Sequence, residues 1–233
     1  MANLQKICVF DLETDGANPD VCSPVQIASL MIDPYKLEII KDSEFNINIK
    51  PCAIEENPDY IYDDSDVLDF HAKVRGCDKN KILEDWRNYQ PQENGWKMFI
   101  SYLDKYHIRS DKRSCFTAPI AAGYNINRFD LRIIEKLSVK YNNLNKEGRS
   151  SLFYPRDVID LMNVIFYWFE GNSELKNYTL DNVRQYLGLG NDGSHDALND
   201  VRATANILIR FMKLHRNLSE KVKFRNAFAT NNI

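Results

Sequence analysis

"KICVFDLETDG", residues 6–16, is the stretch on which the fold turns. Its first half is rich in β-branched and aromatic residues and reads as a buried strand. Its second half ends that strand with two carboxylates, Asp11 and Glu13, two positions apart. Residues at i and i+2 of a strand share a face, with Cα atoms roughly 6–7 Å apart. Two such carboxylates repel, and next to a buried strand the pair stays ionised only beside a cation. Taken alone, the pair fits a surface acidic turn as well as a site, because Gly16 and Pro19 mark a turn directly after it.

Working outward, "PVQIASLMID" (24–33) and "LEIIKDSEFNINIK" (37–50) read as two more strands, joined at Asp33-Pro34. Three strands in succession suggest an antiparallel meander. "APIAAGYN" (118–125) is short and almost wholly apolar, which suits a buried strand parallel to the first. Helical spacing marks 91–107, 127–141, 157–169, 178–189 and 194–214. Thr179 is the expected N-cap of the fourth of these, and Gly188 and Gly190 its stop. These elements predict one α/β domain over 1–216, a mixed sheet covered by helices, followed by a tail over 217–233. Residues 55–114 are the least regular part and are expected as an insertion or lid.

The bulk properties narrow the classes. The chain has 233 residues, 44% hydrophobic and 27% charged, enough for a full core. A net charge of −3 excludes a global basic field, so any nucleic-acid contact is local. Five cysteines without C-x-x-C spacing read as reduced thiols, and together with the lack of a signal-like start they predict a cytoplasmic protein. No stretch is apolar for long enough to span a membrane.

Two further stretches carry acids. "GYNINRFD" ends in Asp130 at a helix start, where a lone aspartate most simply answers the helix dipole. "HDALNDVRAT" supplies His195 and Asp200. Asp196 already serves as the capping acid there, which leaves Asp200 at the border of an inward-facing stripe. Jointly, Asp11, Glu13, Asp130 and Asp200 form an all-oxygen donor set, which suits Mg²⁺ or Mn²⁺. Two such ions clamp the attacking and leaving oxygens of a phosphoryl displacement. His195 has the side chain best suited to take a proton near neutral pH.

"FDLETDG", "GYNINRFD" and "HDALNDVRAT" resemble, in order, the three motifs of the DEDD exonuclease superfamily in its histidine-bearing branch, from Lys6 to about Leu214. A closer resemblance is to the nuclease domain of bacterial exonuclease I. It implies a ribonuclease-H-like fold and a metal-dependent 3′→5′ exonuclease that releases nucleoside monophosphates from single-stranded DNA. It implies two Mg²⁺ ions, replaceable by Mn²⁺: Asp11, Glu13 and Asp200 on one, Asp11 and Asp130 on the other, with His195 as general base.

The candidate substrate contacts are Thr14 and Asp15 through their backbone N–H groups, Asn125 to a base or phosphate unless it simply caps the turn, and Phe129 with Tyr124 as stacking rings, for which core packing is the alternative. The family's pattern has a basic residue where this sequence has Thr179, and Lys176 and Arg184 are the nearby replacements. The family also carries further strand-gripping domains that this sequence does not include, so processive action would require a partner to supply that grip. Two other readings stay open: an exonuclease of short RNA, and an editing subunit bound to a replication or repair protein.

Overall fold

The computed structural model describes residues 5–62, 65–108, 114–190 and 196–222. Strand β1 (Ile7–Thr14) lies at the centre of the sheet because both of its edges are paired. β2 (Pro24–Asp33) runs antiparallel to it and β5 (Ile120–Gly123) parallel, as the sequence predicts. The strand order is β3-β2-β1-β5-β6, with β4 also on β2.

The third predicted strand, 37–50, is split. β3 (Glu38–Ile39) and β4 (Phe45–Asn48) each pair with a different part of β2. The break is a turn in which Asp42 takes a left-handed φ of 55° and Ser43 bonds back to Met31 of β2 through its hydroxyl. The predicted helix 157–169 also divides. Val158–Asp160 form β6, parallel to β5, and the helix α6 (Leu161–Phe169) begins only after Asp160 caps it by accepting from Met162 N–H. Both halves are apolar, so composition alone did not reveal the boundary.

Alternation along β1 sorts its side chains between two cores. Cys8, Phe10 and Leu12 face α4 (Gln92–Asp104) and α5 (Asp130–Lys140), where Trp96, Phe99, Ile133 and Leu137 meet them. Ile7 and Val9 face the other way, toward α6, α7 (Leu180–Tyr186) and the long α8 (Ala197–Val222). On α8 the buried residues Ala197, Val201, Ala205 and Leu208 recur at three- and four-residue steps, the stripe of a helix laid on a sheet. Each large apolar side chain fully buried this way contributes about 1.5–3 kcal/mol.

Residues 55–114, expected to be irregular, are mostly helical where described: α1 (Cys52–Glu56), α2 (Ser65–Arg75), α3 (Lys79–Asn88) and α4. The first three share a small core of Val25, Ile54, Leu68, Ala72, Ile82 and Trp86. The expected tail is helical as far as Val222. Among the described residues no helix is long and apolar enough to cross a membrane, and all five cysteines are free.

Candidate active site

The alternation that sends Ile7 and Val9 toward α8 sends Asp11 and Glu13 to the same face. The first turn of α8 then delivers Asp200. Asp196 caps that turn, accepting from Asn199 N–H at 3.2 Å, as the sequence predicts. Carboxylate oxygens of Asp11, Glu13 and Asp200 lie within 4.8 Å of one another. Asp130 comes from the other side of the strand. It is buried at the start of α5, and its Oδ1 accepts from Leu12 N–H at 2.9 Å. His195 lies outside the described residues.

The electrostatics follow from this crowding. Burial, then the charges of Asp130, Glu13, Asp200 and Asp196, hold the Asp11 carboxyl well above the usual range. Burial, then Asp200, Asp130 and Asp196, push Glu13 up to about 8. Burial raises Asp130 to about 7, against the lowering effect of the Leu12 N–H bond. Without a counter-ion the cluster therefore holds protons that isolated carboxylates would have lost. The donors are all hard oxygens, and they are crowded enough to need a cation. They fit a divalent metal.

Two clefts flank Glu13. The larger measures about 530 Å³ and is lined by Glu13, Thr14, Phe70, His71 and Phe129 among others.

 The smaller cleft measures about 280 Å³ and is lined by Glu13, Gln26, Asn46, Asn48, His71 and Asp196 among others. His71 borders both. Its ring is buried, lies 5.2 Å from the Trp86 ring, and has Nε2 at 2.7 Å from the Thr14 carbonyl. Sequence reasoning missed His71, because a lone histidine in an acidic stretch carries no pattern of its own.

The candidate substrate contacts fare unequally. Phe129 is half-buried on the larger cleft, beside Glu13 and Thr14. The Thr14 hydroxyl donates to Gly16 O at 2.7 Å. The Asp15 N–H donates to Ser23 O at 3.0 Å, so it is occupied by the turn and is not open to a phosphate. Asn125 sits at φ 60°, with its N–H donating to Asp160 Oδ1 at 2.9 Å, which holds the turn before α5. Tyr124 donates its hydroxyl to Tyr178 O. Thr179 caps α7, accepting from Asn182 N–H at 3.4 Å and donating to Asn177 Oδ1 at 2.8 Å. Arg184 is buried against Asp200, which removes it as an exposed phosphate contact.

An exonuclease family model matches residues 115–208, the segment from the approach to β5 into α8 that holds Asp130 and Asp200. DNA polymerase III PolC-type proteins of Thermotoga petrophila and Thermotoga maritima are 23% and 24% identical to it over 210 residues, 90% of this chain. The chain spans 12% of the length of those polymerases. Among solved structures, E. coli exonuclease I in complex with a dT13 oligonucleotide superposes with a TM-score of 0.64 at 20% identity, covering 98% of this chain and 44% of that one. Cell-death related nuclease 4 gives 0.63 at 17% identity, covering 91% and 65%. The expected ribonuclease-H-like architecture, a mixed sheet flanked by helices, is the fold these structures share with this chain.

Proposed function

We propose that this chain is a metal-dependent 3′→5′ exonuclease that hydrolyses single-stranded DNA from its 3′ end and releases nucleoside monophosphates. The observation that carries the reading is the convergence of Asp11, Glu13 and Asp200 within 4.8 Å, with Asp130 fixed to the same strand. In this reading Asp11, Glu13 and Asp200 would hold one divalent ion, Mg²⁺ or Mn²⁺, and Asp11 and Asp130 would support a second. Bound ions of this kind neutralise the scissile phosphate and make water a better nucleophile. His195 would be the general base. Phe129 would offer a face to the terminal base, with Thr14, Asn125 and Thr179 as the further substrate contacts of this reading; Asp15 contributes by holding its turn. The protein works in the cytoplasm, as its unpaired cysteines suit.

The test is digestion of 3′-labelled and 5′-labelled oligomers, single and duplex, with and without Mg²⁺. Early release of the 3′ label as mononucleotide, only with metal and faster on single strands, supports the reading. Release from the 5′ end, or undiminished release in chelator, overturns it. RNA oligomers of equal length, run alongside, decide the sugar preference. A second reading, an editing role beside a replicative polymerase, is favoured by the alignment of 90% of the chain with PolC-type polymerases. Co-elution with a polymerase, and faster removal of a mismatched 3′ end in its presence, would support that role.

A further inference from the structure

Helix α7 buries a cation beside the acidic cluster. Arg184 is 5% exposed. Its Nη1 donates to Asp200 Oδ1 at 3.2 Å, and its Nε donates to Gly190 O at 3.0 Å. Gly190 follows the turn that ends α7 and has a left-handed φ of 66°. One side chain thus ties that turn to a candidate metal ligand on another helix. Removing a guanidinium from water is costly, and the geometry of its partners decides whether the cost is recovered.

We propose that Arg184 is a positioning residue for divalent-metal binding, fixing the Asp200 carboxylate toward Asp11 and Glu13. The proposal rests on the metal-dependent reading above. Two effects oppose each other here. The charge of Arg184 repels an incoming cation. Its hydrogen bond holds Asp200 in place against Asp11 and Glu13, whose charges repel it when no cation lies between them. A carboxylate accepts at both oxygens, so the bond at Oδ1 leaves room for a metal. Arginine is needed rather than lysine, because only a rigid planar fork reaches Asp200 and Gly190 together.

The experiment is calorimetric titration of Mn²⁺ into the metal-free protein, without substrate, for wild type, Arg184→Met and Arg184→Lys. The expected result is binding about 10–100-fold weaker for Arg184→Met, the usual effect of losing a group that orients a ligand. Arg184→Lys should fall between, with kcat recovering at saturating Mn²⁺. Binding as tight as wild type, or tighter as charge repulsion alone predicts, in either folded variant overturns the proposal. If Arg184→Met fails to fold, the lysine variant carries the decision. A wild-type protein that takes up no Mn²⁺ overturns the metal reading and this proposal with it. Variants that match a metal-binding wild type overturn this proposal alone.

Discussion

Asp11→Asn separates the cost of the acidic cluster from its use. The substitution keeps shape and removes one charge from a group whose oxygens lie within 4.8 Å of those of Glu13 and Asp200. Two unit charges at that separation interact by roughly 3.5 kcal/mol at an effective dielectric of about 20. Proton uptake by the cluster relieves part of this, leaving about 1–3 kcal/mol to be gained at about pH 8. For a chain of this size that corresponds to a Tm rise of about 2–12 °C in the metal-free protein. The same change removes a metal donor, so the stabilisation that Mn²⁺ gives wild type should shrink. At a metal concentration of about 100 Kd that stabilisation is about 2.7 kcal/mol. Thermal melts of both proteins in chelator and in Mn²⁺ measure both effects. A metal-free Asp11→Asn protein that is no more stable than wild type, with an unchanged Mn²⁺ response, would refute the reasoning.

Three further outcomes are expected. Glu13 and Asp130 are raised to about 8 and about 7, so the folded chain binds more protons than the unfolded one between the ordinary carboxylate range and those values. Metal-free stability should therefore fall as pH rises through that window, and Mg²⁺ should oppose the fall; a flat Tm-against-pH curve in chelator would count against the crowding. At Gly123 an added Cβ would lie 2.7 Å from Phe10 O and 2.1 Å from Ile126 Cγ2. Gly123→Ala should cost about 1–3 kcal/mol by overpacking, with activity lost beside Asp11, and an unaltered melt would show that the strands yield freely. His71→Phe keeps an aromatic ring against Trp86 but removes the partner of the buried Thr14 carbonyl. It should cost about 1–3 kcal/mol and raise KM more than it lowers kcat, as steady-state kinetics would reveal.

Much of the site was legible because period and chemistry agree in it. Asp11 and Glu13 share a face by strand alternation, and Asp196 accounts for the cap of α8, leaving Asp200 to be explained otherwise. Where the reading failed, local signals were mixed. The acids around α2 and α3 obscured the apolar residues Leu68, Ala72, Ile82 and Trp86, whose burial makes those helices. β6 is three residues long and runs directly into an apolar helix, so no change of composition marks it. Arg184 looked like a phosphate contact because sequence gives a charge but not its direction; the fold turns it inward. Asp160 was overlooked, though it accepts from the N–H groups of Asn125 and Asn127 and so shapes the turn before Asp130.

The bond from Leu12 N–H to Asp130 has a consequence for how such a chain would age. Pairing of β1 with β5 runs from Ile7 to Val9, and farther along the strand Leu12 finds its acceptor in a side chain. Asp130 is thus mortar as well as tool. A descendant that gave up catalysis would be free to replace Asp11 or Glu13, and would gain stability by doing so. It would still need an acceptor at position 130. A silent relative of this protein should therefore be recognised by an aspartate or asparagine kept at that one position while its former companions drift.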